Sequence, residues 1–411
     1  MKNKGIRLLF SIIIFATTLL NPFKVHAEPQ YVKVGTFIEQ LVQAMKLDVD
    51  SSAPEPYFDA ALKAGILKED TFSNYNEFIT RTEAAILLNK ADDYLYEDKL
   101  DEKLYKMVLE KRISDINKIP KDKRKDVAEI VAKGIIKGSS NGKYIQNRSF
   151  KGEEYFTKSE AKITLIRLMN QAKRAKLSPD GQLIRTTNLP KNADKFEYIL
   201  ECFPNSFYEI KFDYQRAKYY YKPKEIIDYA SPVRVYDRMK DQPHRFDDNG
   251  RMIYLYEWTG KAELNLTKRL NVDYRTIDKD DTWLNDLRST YYIYNIVRSD
   301  KRMTDDIKEY IKFVKKNKVV IEGEIIALEP STLYYSTGYY IRVYTKFKVK
   351  SPKFNAIKDD IIYGGYLSDI KPLEEDKWME CVFEIGVGSK NGYSQGDDYA
   401  VDSDSIIVFA D

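Results

Sequence analysis

The sequence predicts an α+β protein with an all-helical N-terminal half, a mixed α/β stretch behind it, and a C-terminal antiparallel β sandwich or barrel. Three observations carry that expectation. A helix–turn–helix pattern recurs before Lys176. Two of its copies share the same helix start and stop signals. Beyond Gly181 the composition changes, with tyrosine doublets and alternating hydrophobic spacing in place of the helical period.

The chain opens on Lys2, Lys4 and Arg7, then an apolar run from Leu8 to Leu20 and the small-residue site Val25-His26-Ala27. This is the pattern of a secretory signal over residues 1–27, cleaved after Ala27. An uncleaved membrane anchor is the alternative, but the run is short for a bilayer span. Residues 1–27 hold four cations and no acid, so without them the formal charge of +4 falls to zero. A chain with no net positive field is a poor nucleic-acid partner. No nucleic acid is expected, and no transmembrane anchor after cleavage. The two cysteines, Cys202 and Cys381, lie far apart; they pair if folding joins them, and otherwise stay as isolated thiols.

Residues 28–176 are read as the repeat domain, with units over 32–50, 54–95 and 113–173. In the last unit Val127, Ile130, Val131 and Gly134 fall at offsets 0, 3, 4 and 7, and Phe58, Ala61, Leu62 and Gly65 repeat them in the middle unit. Each set is one apolar helical stripe ending at a glycine able to take the left-handed C-terminal position. Thr80 with Glu83 and Thr157 with Glu160 spell capping boxes for the helices that follow. The first unit keeps only the second helix, Thr36 to Leu47, and its opening Lys33-Val34-Gly35-Thr36 lacks both capping partners. Tyr94 to Arg112 reads as a polar amphipathic helix able to supply the first helix this unit lacks.

Gly134-Ile-Ile-Lys-Gly138 followed by Phe156-Thr-Lys-Ser-Glu160, and Gly65-Ile-Leu followed by Phe78-Ile-Thr-Arg-Thr-Glu83, resemble the S-layer homology (SLH) module. The resemblance covers Val32 to Lys173. It implies three repeats packed as a pseudo-threefold helical prism whose grooves hold secondary cell-wall polysaccharide, hence a secreted, cell-surface protein of a Gram-positive-type bacterium. It also implies a polysaccharide-binding set of Arg81, Lys158, Thr80, Thr157, Glu83, Glu160, Gly134 and Gly138. Only the middle copy keeps the family's arginine, as Arg81; Lys158 and Val34 stand in its place elsewhere. Physically, a helix N-terminus favours an anion, and a cation inside such a first turn opposes its own dipole. Arg81 and Lys158 are therefore expected to meet an outside anion, a nearby carboxylate, or water. Glu83 and Glu160 read first as caps, and the glycines as backbone stops.

Leu177-Ser-Pro-Asp-Gly181 is a turn-rich break. Residues 183–318 form the mixed stretch. Phe196 to Cys202 is left open between helix and strand. Glu225 to Arg238 is expected to begin as helix and to break at Pro232, Arg251 to Glu257 is expected as strand, and Asp281 to Ile296 and Thr304 to Lys316 as helices. Residues 319–411 are read as β-rich, with strands over Val319–Leu328, Tyr339–Val349, Asp360–Tyr366, Trp378–Val387 and Ser405–Ala410.

Catalytic signals are sparse. After signal removal only His244 remains, in a polar loop, which excludes His-rich zinc sites. Asp247-Asp248-Asn249-Gly250 and Asp397-Asp398 with Asp402 and Asp404 offer oxygen ligands for calcium, without EF-hand spacing. No cofactor is expected apart from that calcium alternative. Gly364-Gly365 and Gly386-x-Gly388 lack the following helix of a phosphate loop. The reading is a non-catalytic displayed region on a wall anchor. The alternatives are a cell-wall or polysaccharide hydrolase using the module as anchor, and an adhesin or glycan-binding protein, with other surface proteins as further partners.

Overall fold

The structure, a computed structural model, describes residues 30–96, 100–210, 233–234, 253–291, 298–335, 339–364, 373–389 and 399–408. The expected signal segment, the helix from Glu225, the His244 loop, Asp247 to Gly250, and Asp397-Asp398 lie outside the described residues. The chain is mixed helix and sheet. Helices dominate the first half, and one curled antiparallel sheet dominates the second.

The helical half comprises α1 (Val34–Met45), α2 (Pro56–Lys63), α3 (Arg81–Leu95), α4 (Glu102–Met107, continued by a π turn over Val108–Arg112), α5 (Arg124–Ala132) and α6 (Lys158–Met169). Both capping boxes form, Thr80 with Glu83 on α3 and Thr157 with Glu160 on α6. Lys33, ahead of α1, provides no side-chain cap.

Three short segments just ahead of α1, α3 and α6 close a ring. Tyr31 bridges Thr157, Lys33 bridges Phe78, and Thr80 bridges Tyr155, all antiparallel. Val32 donates its N–H to Phe156 O at 3.0 Å, Phe156 to Ile79 O at 2.8 Å, and Ile79 to Val32 O at 3.1 Å. Each segment thus satisfies one neighbour and is satisfied by the other, which removes unpaired backbone groups from a buried centre. Val32, Ile79 and Phe156 point inward and are buried, while Tyr31, Phe78 and Tyr155 form an aromatic triangle outside, with centroids 5.5 to 5.7 Å apart.

Around this ring α2 packs on α1, and α5 on α3. The α3–α5 contact is partly polar: Asn89 donates to Asp126 at 3.0 Å and Glu129 at 2.7 Å, and Lys133 pairs with Asp92 at 2.9 Å. α4 and its π turn pack against α5. The helix expected from Tyr94 to Arg112 to complete the first unit therefore serves a different neighbour. Leu104, Val108 and Leu109 belong to the helical core, and Arg112 is tied to Asp180 at 2.9 Å. On α6, Ile163, Ile166 and Met169 remain exposed.

The Leu177–Gly181 turn is a packed joint. Ser178, Asp180 and Gln182 are buried, and Arg112 Nε donates to Asp180 O at 2.7 Å.

The second half holds α7 (Asn205–Glu209), α8 (Ile253–Arg269), α9 (Thr282–Ser289) and α10 (Arg298–Asn317). Its strands are β3 (Val233–Arg234), β4 (Val272–Asp273), β5 (Val320–Tyr335), β6 (Tyr339–Lys350), β7 (Met379–Ser389) and β8 (Tyr399–Val408). The earlier hairpin β1–β2 (Ser139–Ser140 and Arg148–Ser149) sits in the loop ahead of α6. The large sheet runs β3-β5-β6-β7-β8, with β4 also paired to β5.

Its faces follow the two-residue strand period. Leu328, Ile341, Val343, Phe383 and Ile385 turn to α8, α9 and α10, giving one core. Ala327, Tyr344 and Val382 turn to the opposite face, where Phe196, Leu200, Phe203, Phe207 and Tyr208 cover them. The expected sandwich or barrel is thus a single curled sheet, covered by helices on one side and by residues 196–208 on the other. Residues on both sides of Lys318 and Val319, among them Val314 and Ile321, contribute to this core.

Two strand expectations are overturned. The run from Arg251 to Glu257 enters helix α8, because Trp258, Ala262, Leu266 and Leu270 form a buried stripe at four-residue spacing that outweighs a short alternation. Asp360 to Gly364 is a turn whose Ile361 and Tyr363 carbonyls accept from Tyr310 at 2.7 Å and Arg269 at 2.6 Å. No disulfide joins Cys202 and Cys381.

Candidate functional site

The site is built on the turn that ends α5. Gly134 has φ +69°, and a Cβ there would meet Ala175 O at 2.2 Å, so the position requires glycine on two grounds. Gly138 needs no unusual φ, but a Cβ there would meet Arg148 Cβ at 2.9 Å and Ser149 O at 3.0 Å, so the glycine lets the turn lie against β2. Arg148 Nε donates to Gly138 O at 2.8 Å and fixes that contact.

Arg81 reaches this turn from the start of α3. It is buried, 5% exposed. Its Nε donates to Phe150 O at 2.8 Å and one terminal nitrogen to Lys137 O at 3.2 Å, while the other pairs with Glu160. The guanidinium carbon also lies 5.2 Å from the centre of the Phe150 ring. Glu160 therefore closes the α6 cap through one oxygen, accepting from Thr157 N at 3.0 Å, and holds Arg81 through the other. The arginine placed against its own helix dipole is compensated by an internal carboxylate, one of the outcomes weighed for it from sequence.

Lys158 sits in the matching first turn of α6 and is exposed, with Nζ 3.2 Å from Gln30 Oε1. Thr80 and Glu83 cap α3 beside it in the ring, Glu83 accepting from Thr80 N at 2.8 Å. The structure brings Arg81, Glu160 and the carbonyl of Lys137, next to Gly138, together, while Gly134 lies against Ala175. Lys158, with Thr157, lies on the outer side of the same cap.

Two cations not singled out in the sequence complete the cluster. Lys137, the variable residue of Gly-Ile-Ile-x-Gly, and Arg148 converge on Glu201, at 3.3 and 3.5 Å. The signal for Lys137 was its place inside the motif; Arg148, in an irregular loop, had none. Lys137, Gly138, Arg148, Phe150, Gln182 and Leu183 line a cavity of about 20 Å³, room for about one water molecule and not for a sugar ring.

A separate charged row crosses the sheet. Glu329, Arg342 and Glu384 are register partners on β5, β6 and β7 and are fully buried. Arg342 pairs with Glu384 at 3.3 Å and donates to Phe207 O at 2.6 Å. Burial pushes the Glu329 carboxyl up to about 8, against the bond it accepts from Ser331. Shut away from solvent, Arg342 ties residues 207–210 to the sheet through the Phe207 and Ile210 carbonyls.

Among the described residues no group of three or more His, Cys, Asp or Glu side chains could hold a metal ion, and no helix is long and apolar enough to cross a membrane. Asp402 and Asp404 lie in β8. No curated protein shows significant similarity to the chain. A protein-family model does match: residues 112–162 fit the S-layer homology domain, which covers α5, the Gly134–Gly138 turn, Arg148 and the first turns of α6. Domains of this kind bind cell-wall polysaccharide. Residues 112–162 of the chain thus carry an S-layer homology domain.

Proposed function

We propose that the helical half attaches the protein non-covalently to an anionic secondary cell-wall polysaccharide, and that the region beyond residue 183 is a non-catalytic part displayed from the wall. On this reading residues 28–176 act as three units, over 32–50, 54–95 and 113–173, set around the ring of Val32, Ile79 and Phe156. Residues 1–27 direct export and are removed, and the protein resides on the surface of a Gram-positive-type cell.

The observation that carries the reading is the meeting of Lys137 and Arg148 at the Gly134–Gly138 turn, both inside the matched stretch. Cations on a rim near a helix N-terminus favour a polyanion through charge and dipole together. Within the set, Lys158 is the exposed cation that meets the polymer. The pairs Thr80/Glu83 and Thr157/Glu160 fix the helix starts. Arg81 holds the two neighbouring units in register from inside, and Gly134 and Gly138 let the backbone come close.

The test is co-sedimentation of the full chain with purified wall, before and after acid removal of its pyruvyl groups. Retention on native wall and loss on stripped wall is the expected result. Equal retention on both overturns the anionic mechanism, and no retention on either overturns attachment.

A further inference from the structure

Glu201 lies outside the S-layer homology stretch, beyond the Leu177–Gly181 joint, yet its carboxylate is held by two cations of that stretch. Lys137 Nζ is 3.3 Å from one oxygen and Arg148 Nη1 3.5 Å from the other. Both distances are long for ion pairs. The Glu201 and Lys137 side chains are each 34% exposed, so water reaches the cluster. Arg148 is fixed from behind, its Nε donating to Gly138 O at 2.8 Å, and the Lys137 backbone is held by Arg81, which donates to its carbonyl at 3.2 Å. The Glu201 backbone is pinned as well, since its N–H donates to Leu183 O at 2.8 Å and the next carbonyl, Cys202 O, accepts from Tyr144 at 2.8 Å. The Glu201 side chain can turn away from both cations without movement between the two halves.

We propose that Lys137 and Arg148 form a clamp for an oxyanion carried on a sugar ring, a carboxylate or a phosphate, and that Glu201 occupies this clamp as an internal competitor. The inference rests on the attachment reading above and adds a site and its regulation. With Lys137 and Glu201 each 34% exposed and Arg148 20%, water reaches and screens these pairs, so the cations gain only modestly from this partner. An incoming polymer with many anionic groups replaces Glu201 at small cost, and the C-terminal half thereby sets how tightly the helical half grips.

The experiment measures binding of two probes to the full chain by calorimetry: a methyl glycoside bearing a pyruvate ketal, and a hexose 6-phosphate. Glu201→Gln is expected to tighten binding of at least one probe by about three- to tenfold, the range that two partly exposed ion pairs supply. The probe that responds distinguishes carboxylate from phosphate. Lys137→Gln with Arg148→Gln is expected to lose the binding, and Glu201→Gln added to that pair to change nothing further. Glu201→Asp, with a shorter reach and the charge kept, is expected to fall between wild type and Glu201→Gln, and it guards against a variant that loosens the joint. Unchanged affinity of Glu201→Gln for both probes, with wild-type protein still retained on wall, overturns the clamp and leaves attachment standing. Failure of the wild type to bind wall overturns attachment itself.

Discussion

Replacing Arg81 by alanine tests whether this residue acts from inside the fold. The side chain pairs with Glu160, donates to two carbonyls at 2.8 and 3.2 Å, and stacks 5.2 Å from the Phe150 ring centre. Glu160 is 36% exposed, so its ion pair is worth about 1 kcal/mol or less. Each carbonyl left buried without a donor costs about 1–3 kcal/mol, and the ring contact about 0.5–1 kcal/mol. These terms share one side chain and do not add in full, which puts the loss at about 3 kcal/mol. For a domain of this size that lowers the melting temperature by roughly 6–12 °C. Lys158 makes only an exposed 3.2 Å contact with Gln30, so Lys158→Ala stays within about 0.5 kcal/mol of wild type. Arg81→Lys recovers little, since one ammonium cannot span a carboxylate and two carbonyls. Scanning calorimetry of the three variants in the full chain reads this directly. Equal shifts for Arg81→Ala and Lys158→Ala, or a loss below about 1 kcal/mol for Arg81→Ala, would refute the internal role.

Two further predictions concern the backbone turn and the buried acids. Gly134→Ala places a methyl group 2.2 Å from Ala175 O at a φ of +69°, so it destabilises the helical half by more than the roughly 1 kcal/mol of a left-handed residue alone; urea unfolding measures it. Glu329 has its folded pKa raised to about 8, so the folded state binds the extra proton and stability is greatest below the ordinary carboxyl range. The urea midpoint of the C-terminal half should fall as pH rises from about 5 to about 8 and then level off, and Glu329→Gln should flatten most of that slope. A midpoint that rises across this window would contradict the assignment.

The amino-acid sequence determined by itself what depends on neighbours a few residues apart. Thr80 and Glu83, Thr157 and Glu160, and Gly134 form caps and a helix stop through local backbone geometry, and all three appear as hydrogen bonds and a positive φ. The same locality made the S-layer homology motifs legible. It also misled where two periods overlapped: Arg251 to Glu257 alternates over a few residues, yet Trp258, Ala262, Leu266 and Leu270 commit the segment to a helix on the sheet.

The tertiary structure alone decided the partners of the charges. Arg81 meets Glu160, 79 positions away, and Arg148 meets Glu201, because the ring of three segments and the Leu177–Gly181 joint bring distant chain together. A sequence states that a cation is present; its Coulombic partner depends on distances of a few ångströms across the fold, which no spacing along the chain encodes. For the same reason the β runs were legible as strands, while their assembly into one curled sheet, shared with α8 to α10, was set by which faces found cover.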